Sequence, residues 1–190
     1  MDARDRLIES TQELLWERGY LGTSPKAIQQ RAGAGQGSMY HHFAGKPDLA
    51  LAAVRRSATQ LRALTDEQLE GSGAALDGIA AYLRRERDVL RGCRIGRLTA
   101  DPDIVASPAL RQPVEETFRW LVRRLAQIIA EGQQSGELVA DLDPAEVAAT
   151  VVAVLQGGYV MARAAASVEP FHQAIEGVLA LLGTHRGGSR

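Results

Sequence analysis

Apolar positions along this chain recur with the helical period of about 3.6 residues, and glycine and proline cut the pattern into segments. Leu7, Thr11, Leu14 and Leu15 mark a first helix over about residues 3–18, with Gly19 as its terminator. Ser24 before Pro25 is a helix start in which proline gives up an N–H that has no partner there anyway. Ala27, Ile28 and Ala32 give this second helix a small apolar face, and Gly33 stops it. The next helical stretch, about 36–42, is too short to be stable alone, so its neighbours must hold it. Met39 and Phe43, four apart, can bury together and leave Gln36, Ser38, Tyr40 and His41 facing outward.

Ala44-Gly45 ends that helix, and Lys46-Pro47-Asp48 opens a fourth, expected to reach about residue 64 through Leu49, Val54, Ala58 and Leu61. Gly71-Ser72-Gly73 is the clearest break. Leu76, Ile79, Leu83 and Leu90 predict a fifth helix over about 75–90, and residues 92–108 read as irregular or one short helix. A long helix follows over about 109–135, with Leu110, Val114, Phe118, Leu121, Leu125 and Ile128 on one face. Asp143-Pro144 opens the eighth helix and Pro170 the ninth, about 171–182. No repeat and no strand pattern is visible, so the fold class is all-α.

A packed helix presenting a second, polar-tipped one across a glycine turn is the geometry of a helix-turn-helix DNA reader. Here the likeness becomes specific. Gly19-Tyr20, Thr23-Ser24, Ile28, Ala32-Gly33, Gly37-Ser38, Tyr40-His41-His42-Phe43 and Lys46 are spaced as in TetR-family transcriptional regulators, whose N-terminal domain residues 4 to 55 resemble. The helical remainder is similar to the family's C-terminal domain in length and order. The resemblance implies a helix-turn-helix DNA-binding domain over 1–50 and a helical effector-binding and dimerisation domain over 51–190. It further implies a repressor, a homodimer on a palindromic double-stranded DNA operator, released by a small-molecule effector. Helices eight and nine, more apolar than one packing partner requires, suit a two-fold interface.

Composition narrows this picture. Residues 1–62 carry nine Lys/Arg against six Asp/Glu and the rest thirteen against seventeen, a basic bias on the DNA-reading end. No apolar run approaches the ~18 residues of a membrane span, and the N-terminus lacks a signal-peptide core, so a cytoplasmic protein with no membrane partner is expected. A single cysteine, Cys93, excludes an intrachain disulfide and a thiolate metal cage. Gly33-Ala-Gly35-Gln-Gly37 resembles a nucleotide loop only superficially, because a helix precedes it. No nucleophile with its base is visible, so no enzyme, cofactor or metal site is expected.

The candidate DNA contacts are Thr23, Ser24, Lys26, Gln36, Gly37, Ser38, Tyr40, His41, His42 and Lys46. Gln36 can donate and accept at once, which suits adenine, while Gly37 lets the helix approach closely. Ser38, Tyr40, His41 and His42 have groups suited to phosphate oxygens, and Lys46 adds a charge beside the N–H groups of a helix start. Two departures from the family pattern stand out: Gly35 replaces a serine-like cap, and the reading helix has no Lys or Arg. For an effector pocket, Tyr82, Cys93, Phe118, Trp120, Tyr159 and Met161 are candidate walls, suiting a hydrophobic or aromatic molecule. Arg94, Arg97 or Arg163 are alternatives for an anionic one, and Cys93 is a candidate redox sensor.

Overall fold

The computed structural model describes residues 2–70 and 73–187 and is helical, with a single isolated bridge pairing Leu138 with Arg186. Its helices are α1 Ala3–Arg18, α2 Pro25–Ala32, α3 Gln36–His42, α4 Lys46–Glu70, α5 Ala75–Arg84, α6 Pro102–Ala106, α7 Pro108–Gln134, α8 Pro144–Ala165 and α9 Glu169–Thr184. A 3-10 turn, Gly96–Ala100, precedes α6. The chain forms two compact units, Met1–Leu61 with Cys93–Thr117, and Arg62–Gly92 with Phe118–Arg190. The 93–117 segment thus groups with the N-terminal helices although some thirty residues separate them in sequence.

In the first unit, α1 buries Leu7, Ile8, Leu14 and Leu15. Two of its buried polar residues are hydrogen-bonded: Thr11 Oγ1 donates to the Leu7 carbonyl at 2.7 Å, and Gln12 Nε2 donates to Ser57 Oγ at 2.8 Å and Gln60 Oε1 at 2.9 Å. The first half of α4 supplies Leu49, Ala50, Ala53 and Val54, and the later segment adds Ile95, Leu98, Ile104 and Leu110.

In the second unit, α8 packs along α9, with Val151, Leu155, Tyr159 and Ala162 buried on one and Phe171, Ile175, Val178 and Leu182 on the other. The Glu137 carboxylate accepts from the first amides of α5, Ala75 at 2.7 Å and Leu76 at 2.9 Å, and so caps that helix from a distant loop. Gly132 of α7 marks a close approach. A Cβ there would lie 2.7 Å from the Ala75 Cβ and 3.0 Å from Leu138 Cδ1. Gly132→Ala sets a helix-propensity gain of ~1 kcal/mol against an overpacking cost of ~1–3 kcal/mol. A net loss is expected in urea denaturation; a higher midpoint would mean that α5 can back away freely.

Two boundaries differ from the sequence pattern. α4 continues to Glu70 because Arg124 binds Asp66 and Glu70, each at 2.8 Å, which neutralises acids at the helix C-terminus. α5 stops at Arg84 rather than near 90, since Arg87 folds back and donates to the Tyr82 and Arg85 carbonyls. Val89 is therefore buried and Leu90 exposed, the reverse of the expected face. α8, of 22 residues, is long and apolar enough by length and composition alone to cross a membrane, which corrects the expectation that no run approaches that length. Alanine, valine and glycine rather than large side chains carry this apolarity, and one face of the helix, including Val151, Leu155 and Tyr159, is buried inside the chain. Of the expected break at 71–73, Gly71 and Ser72 lie outside the described residues.

Candidate nucleic-acid interface

α1 packs on both α2 and α3, and α2 packs on α3. The Ser24 hydroxyl accepts from the Ala27 amide at 3.1 Å and caps α2, while Gly33 closes it in the left-handed conformation at φ 57°. α3 has only seven residues and no side-chain cap at Gly35. Its hold is apolar: Met39 is fully buried, Phe43 at its end is nearly so, and the Arg4 guanidinium lies 5.6 Å from the Phe43 ring centre. Gln29 Nε2 also approaches Met39 Sδ at 3.5 Å.

The opposite face is open. Gln36, Gly37, His41 and His42 are exposed, Tyr40 is half-exposed and Ser38 partly so. Tyr40 is thus not a core aromatic. A Cβ at Gly37 would meet nothing within 4 Å, so that side of the helix is free for close approach. Lys26 is exposed on α2, and Ser24 is exposed as well as capping.

Thr23 is placed otherwise. It is buried, and its hydroxyl donates to the Gly19 carbonyl at 2.7 Å, which closes the turn between α1 and α2. Lys46 is drawn inward: its ammonium sits 3.9 Å from the centre of the Tyr20 ring. Burial pulls the Lys46 pKa below its ordinary value, against the opposing fields of Asp103 and Asp101. Burial, followed by those two carboxylates, raises the Tyr20 hydroxyl. At the same helix start, the Asp48 carboxylate accepts from the Ala44 amide at 3.1 Å, so an acid already shares the position expected for phosphate.

The six candidate pocket residues are divided between the two units. Cys93 is in the first unit, where its Sγ accepts from the Gly96 amide at 3.3 Å; the other five are in the second. Met161 is 47% exposed on α8 and lines no interior wall. Trp120 is half-buried under the Arg62 guanidinium, 5.6 Å from the ring centre, and Phe118 is half-buried on α7. Tyr82 and Tyr159 do meet, around Arg87 and Phe171, with the Tyr159 and Phe171 rings 4.8 Å apart. Of the candidate arginines, Arg94 binds Glu13 and stacks on Trp16, Arg97 donates to the Trp16 carbonyl, and Arg163 is exposed.

With this geometry in place, comparison with known proteins is decisive. Residues 7–53 match the family described as bacterial regulatory proteins, tetR family, and residues 73–178 match the tetracyclin repressor-like C-terminal domain. The chain belongs to the TetR family of transcriptional regulators. It is similar to the transcriptional regulator AcuR of Cereibacter sphaeroides, 31% identical over 177 residues that cover 90% of this chain and 80% of that protein. The crystal structure of regulatory protein TetR from Rhodobacter sphaeroides is 30% identical, with TM-score 0.83 over 94% of this chain and 97% of that one. A cysteine mutant of the TetR-family regulator CifR, complexed with 26-base-pair operator DNA, shares the fold at 24% identity and TM-score 0.79, covering 94% of this chain and 95% of that one. As a TetR-family member, this chain is a DNA-binding regulator of transcription.

Two features of this TetR-family chain escaped the sequence reading. Tyr20 belongs to the motif, yet its role under Lys46 depends on Asp101, 81 residues further on, whose carboxylate accepts from the Tyr20 amide at 2.6 Å. Arg87 sits in a charged run that reads as a solvated surface, and only the early end of α5 turns it inward. Neither has a local signal.

Proposed function

We propose that this TetR-family chain is a homodimeric repressor that reads a palindromic operator with α3 and leaves it when a small molecule binds the second unit. The observation that carries the reading is α3 itself, anchored by Met39 and Phe43 while Gln36, Gly37, Tyr40 and His41 stay uncovered. Gln36 reads a base edge, and Lys26, Ser38, His41 and His42 approach phosphates. Lys46 joins them from its seat on Tyr20, and Thr23 contributes by shaping the turn. Residues 1–50 serve as the DNA-binding domain and 51–190 as the effector and dimerisation domain, in a cytoplasmic regulator with no catalytic role.

Support for the dimer lies on α8 and α9, where Ala149, Ala153, Val160, Met161, Gly177 and Leu181 are uncovered or partly so, with Val160 and Leu181 each 67% exposed. Small side chains over such a face admit the close approach of a second helix pair. A two-fold partner spaces two α3 helices about 34 Å apart, one turn of DNA. The effector acts through α4, which supplies residues to both units; a coupling of ~1–3 kcal/mol is enough for a 5- to 150-fold change in operator affinity.

Selection from randomised duplex DNA at near-physiological salt tests the reading and is expected to return a palindrome. Against that sequence, Gln36→Ala should cost ~1–3 kcal/mol at one base position in each half-site. Lys46→Ala should weaken all sequences alike and flatten the salt dependence by about one phosphate per subunit. Recovery of no motif, with binding that vanishes as salt rises, would overturn operator reading by α3.

A further inference from the structure

Beyond Arg84 the chain runs beside α9 and borders a cleft of about 300 Å³. That volume is at the small end for ligand sites. Leu83, Val89, Phe171 and Ile175 form its apolar wall, and Arg85 and Arg87 its basic one. All of these residues belong to the second unit.

Arg87 is the unusual group. Its Nε and Nη2 donate to the Arg85 and Tyr82 carbonyls, and its guanidinium lies 5.7 Å from the Tyr82 ring centre and 5.6 Å from that of Phe171. Its Nη1 is buried with no partner, and so is Nε of Arg85 on the same wall; among the described residues Arg62 Nε is the one other such side-chain atom. Tyr159, Arg85 and Tyr82 are the charged and polar groups acting on Arg87, and no carboxylate is among them. The cation has lost water without gaining a counter-ion, and burial accordingly pulls its pKa below the ordinary value. The contrast is next door, where Arg84 is held by both Glu176 oxygens at 2.8 and 2.6 Å. Capping α5 occupies two of the Arg87 nitrogens and the Tyr159 side chain also hydrogen-bonds the group, but the charge itself has no carboxylate to match it.

We propose that this cleft binds a small organic monocarboxylate, its carboxylate facing Arg87 and Arg85 and its apolar body against Leu83, Val89, Phe171 and Ile175. A carboxylate matches a guanidinium in plane and charge. Glu86 and Glu176 also line the cleft, so one negative charge is accommodated where a dianionic phosphate is repelled. The site does not rest on the operator reading, because binding is measured without DNA.

The test is calorimetric titration of the full chain with sodium benzoate, and with benzamide as the neutral match. Saturable binding of benzoate, one per chain, with benzamide silent, is the expected result. Arg87→Gln should abolish it. Since that change also uncaps α5, two exposed positions on the cleft rim keep the test sound if the variant fails to fold. His172→Glu should weaken benzoate by roughly threefold or more, and Glu86→Gln should tighten it by a similar factor. No binding of benzoate, equal binding of benzamide, or an affinity indifferent to both rim changes would overturn the proposal.

Discussion

Met39→Ala is expected to destabilise the N-terminal unit by ~2–5 kcal/mol, the usual cost of truncating a fully buried methionine, and to remove operator binding with it. The physical reason is the length of α3. Seven residues cannot sustain a helix in water, because nucleation costs more than so few hydrogen bonds return. Gly35 adds no side-chain cap. The helix therefore persists through Met39 and Phe43, and Met39 is the one residue within it that is fully buried. Truncation removes the thioether from its contact with Gln29 and leaves a void that α1 and α2 cannot close without moving. Hydrogen exchange should show α3 amides losing protection first. Equilibrium unfolding should show the second unit almost unaffected, which separates local melting from global collapse. Met39→Leu, close in volume, should lose less than about 1.5 kcal/mol and keep DNA binding. An Ala variant that binds operator normally would mean that DNA, and not the core, orders this helix.

Local signals made the DNA-reading end legible. Ser24-Pro25, Gly33, and the four-residue spacing of Met39 and Phe43 each act within one or two turns, so the bounds of α1, α2 and α3 follow from neighbours in sequence. The exposed set on α3 follows from the same spacing, since burying Met39 leaves the polar tips outside. The placement of Thr23 is not legible in this way, because a threonine in a turn reads alike whether its hydroxyl points to solvent or to a carbonyl four residues back. The second unit was less legible for a related reason. An apolar stripe states that a helix has a buried face but not which partner covers it, so Tyr82 and Met161 looked equivalent although one is buried and the other 47% exposed. Where α5 ends depends on Arg87 reaching back over it, a choice between two charged-residue conformations that periodicity does not encode.

Asp101 is the second position where a single change should have a large effect. Its carboxylate is nearly buried and accepts three amides: Tyr20 at 2.6 Å, Asp103 at 3.1 Å and Ile104 at 3.3 Å. It thus caps α6 and, with the same group, ties that segment to the turn after α1. Gly19 makes the approach possible. Its backbone is at φ 72° and ψ −177°, a conformation essentially confined to glycine, and a Cβ there would lie 2.8 Å from Asp101 Oδ2. Asp101→Ala removes the cap, about 0.5–2 kcal/mol, and orphans the Tyr20 amide, about 1–3 kcal/mol. These share one network and do not simply add, so a loss of ~2–4 kcal/mol is expected in denaturant unfolding of the first unit. Asp101→Asn keeps an accepting oxygen and should recover most of it. Gly19→Ala attacks the same contact from the other side and should resemble Asp101→Ala. The consequence extends to the proposed operator reading because Tyr20 carries Lys46 on its ring, so operator affinity should fall in Asp101→Ala. Arg94 and Arg97 still hold the segment to α1, which predicts loosening rather than release and raised exchange confined to residues 19–23 and 101–106. If Asp101→Ala unfolds within ~0.5 kcal/mol of the parent, water replaces the carboxylate fully and the tie between α6 and the turn has no energetic weight.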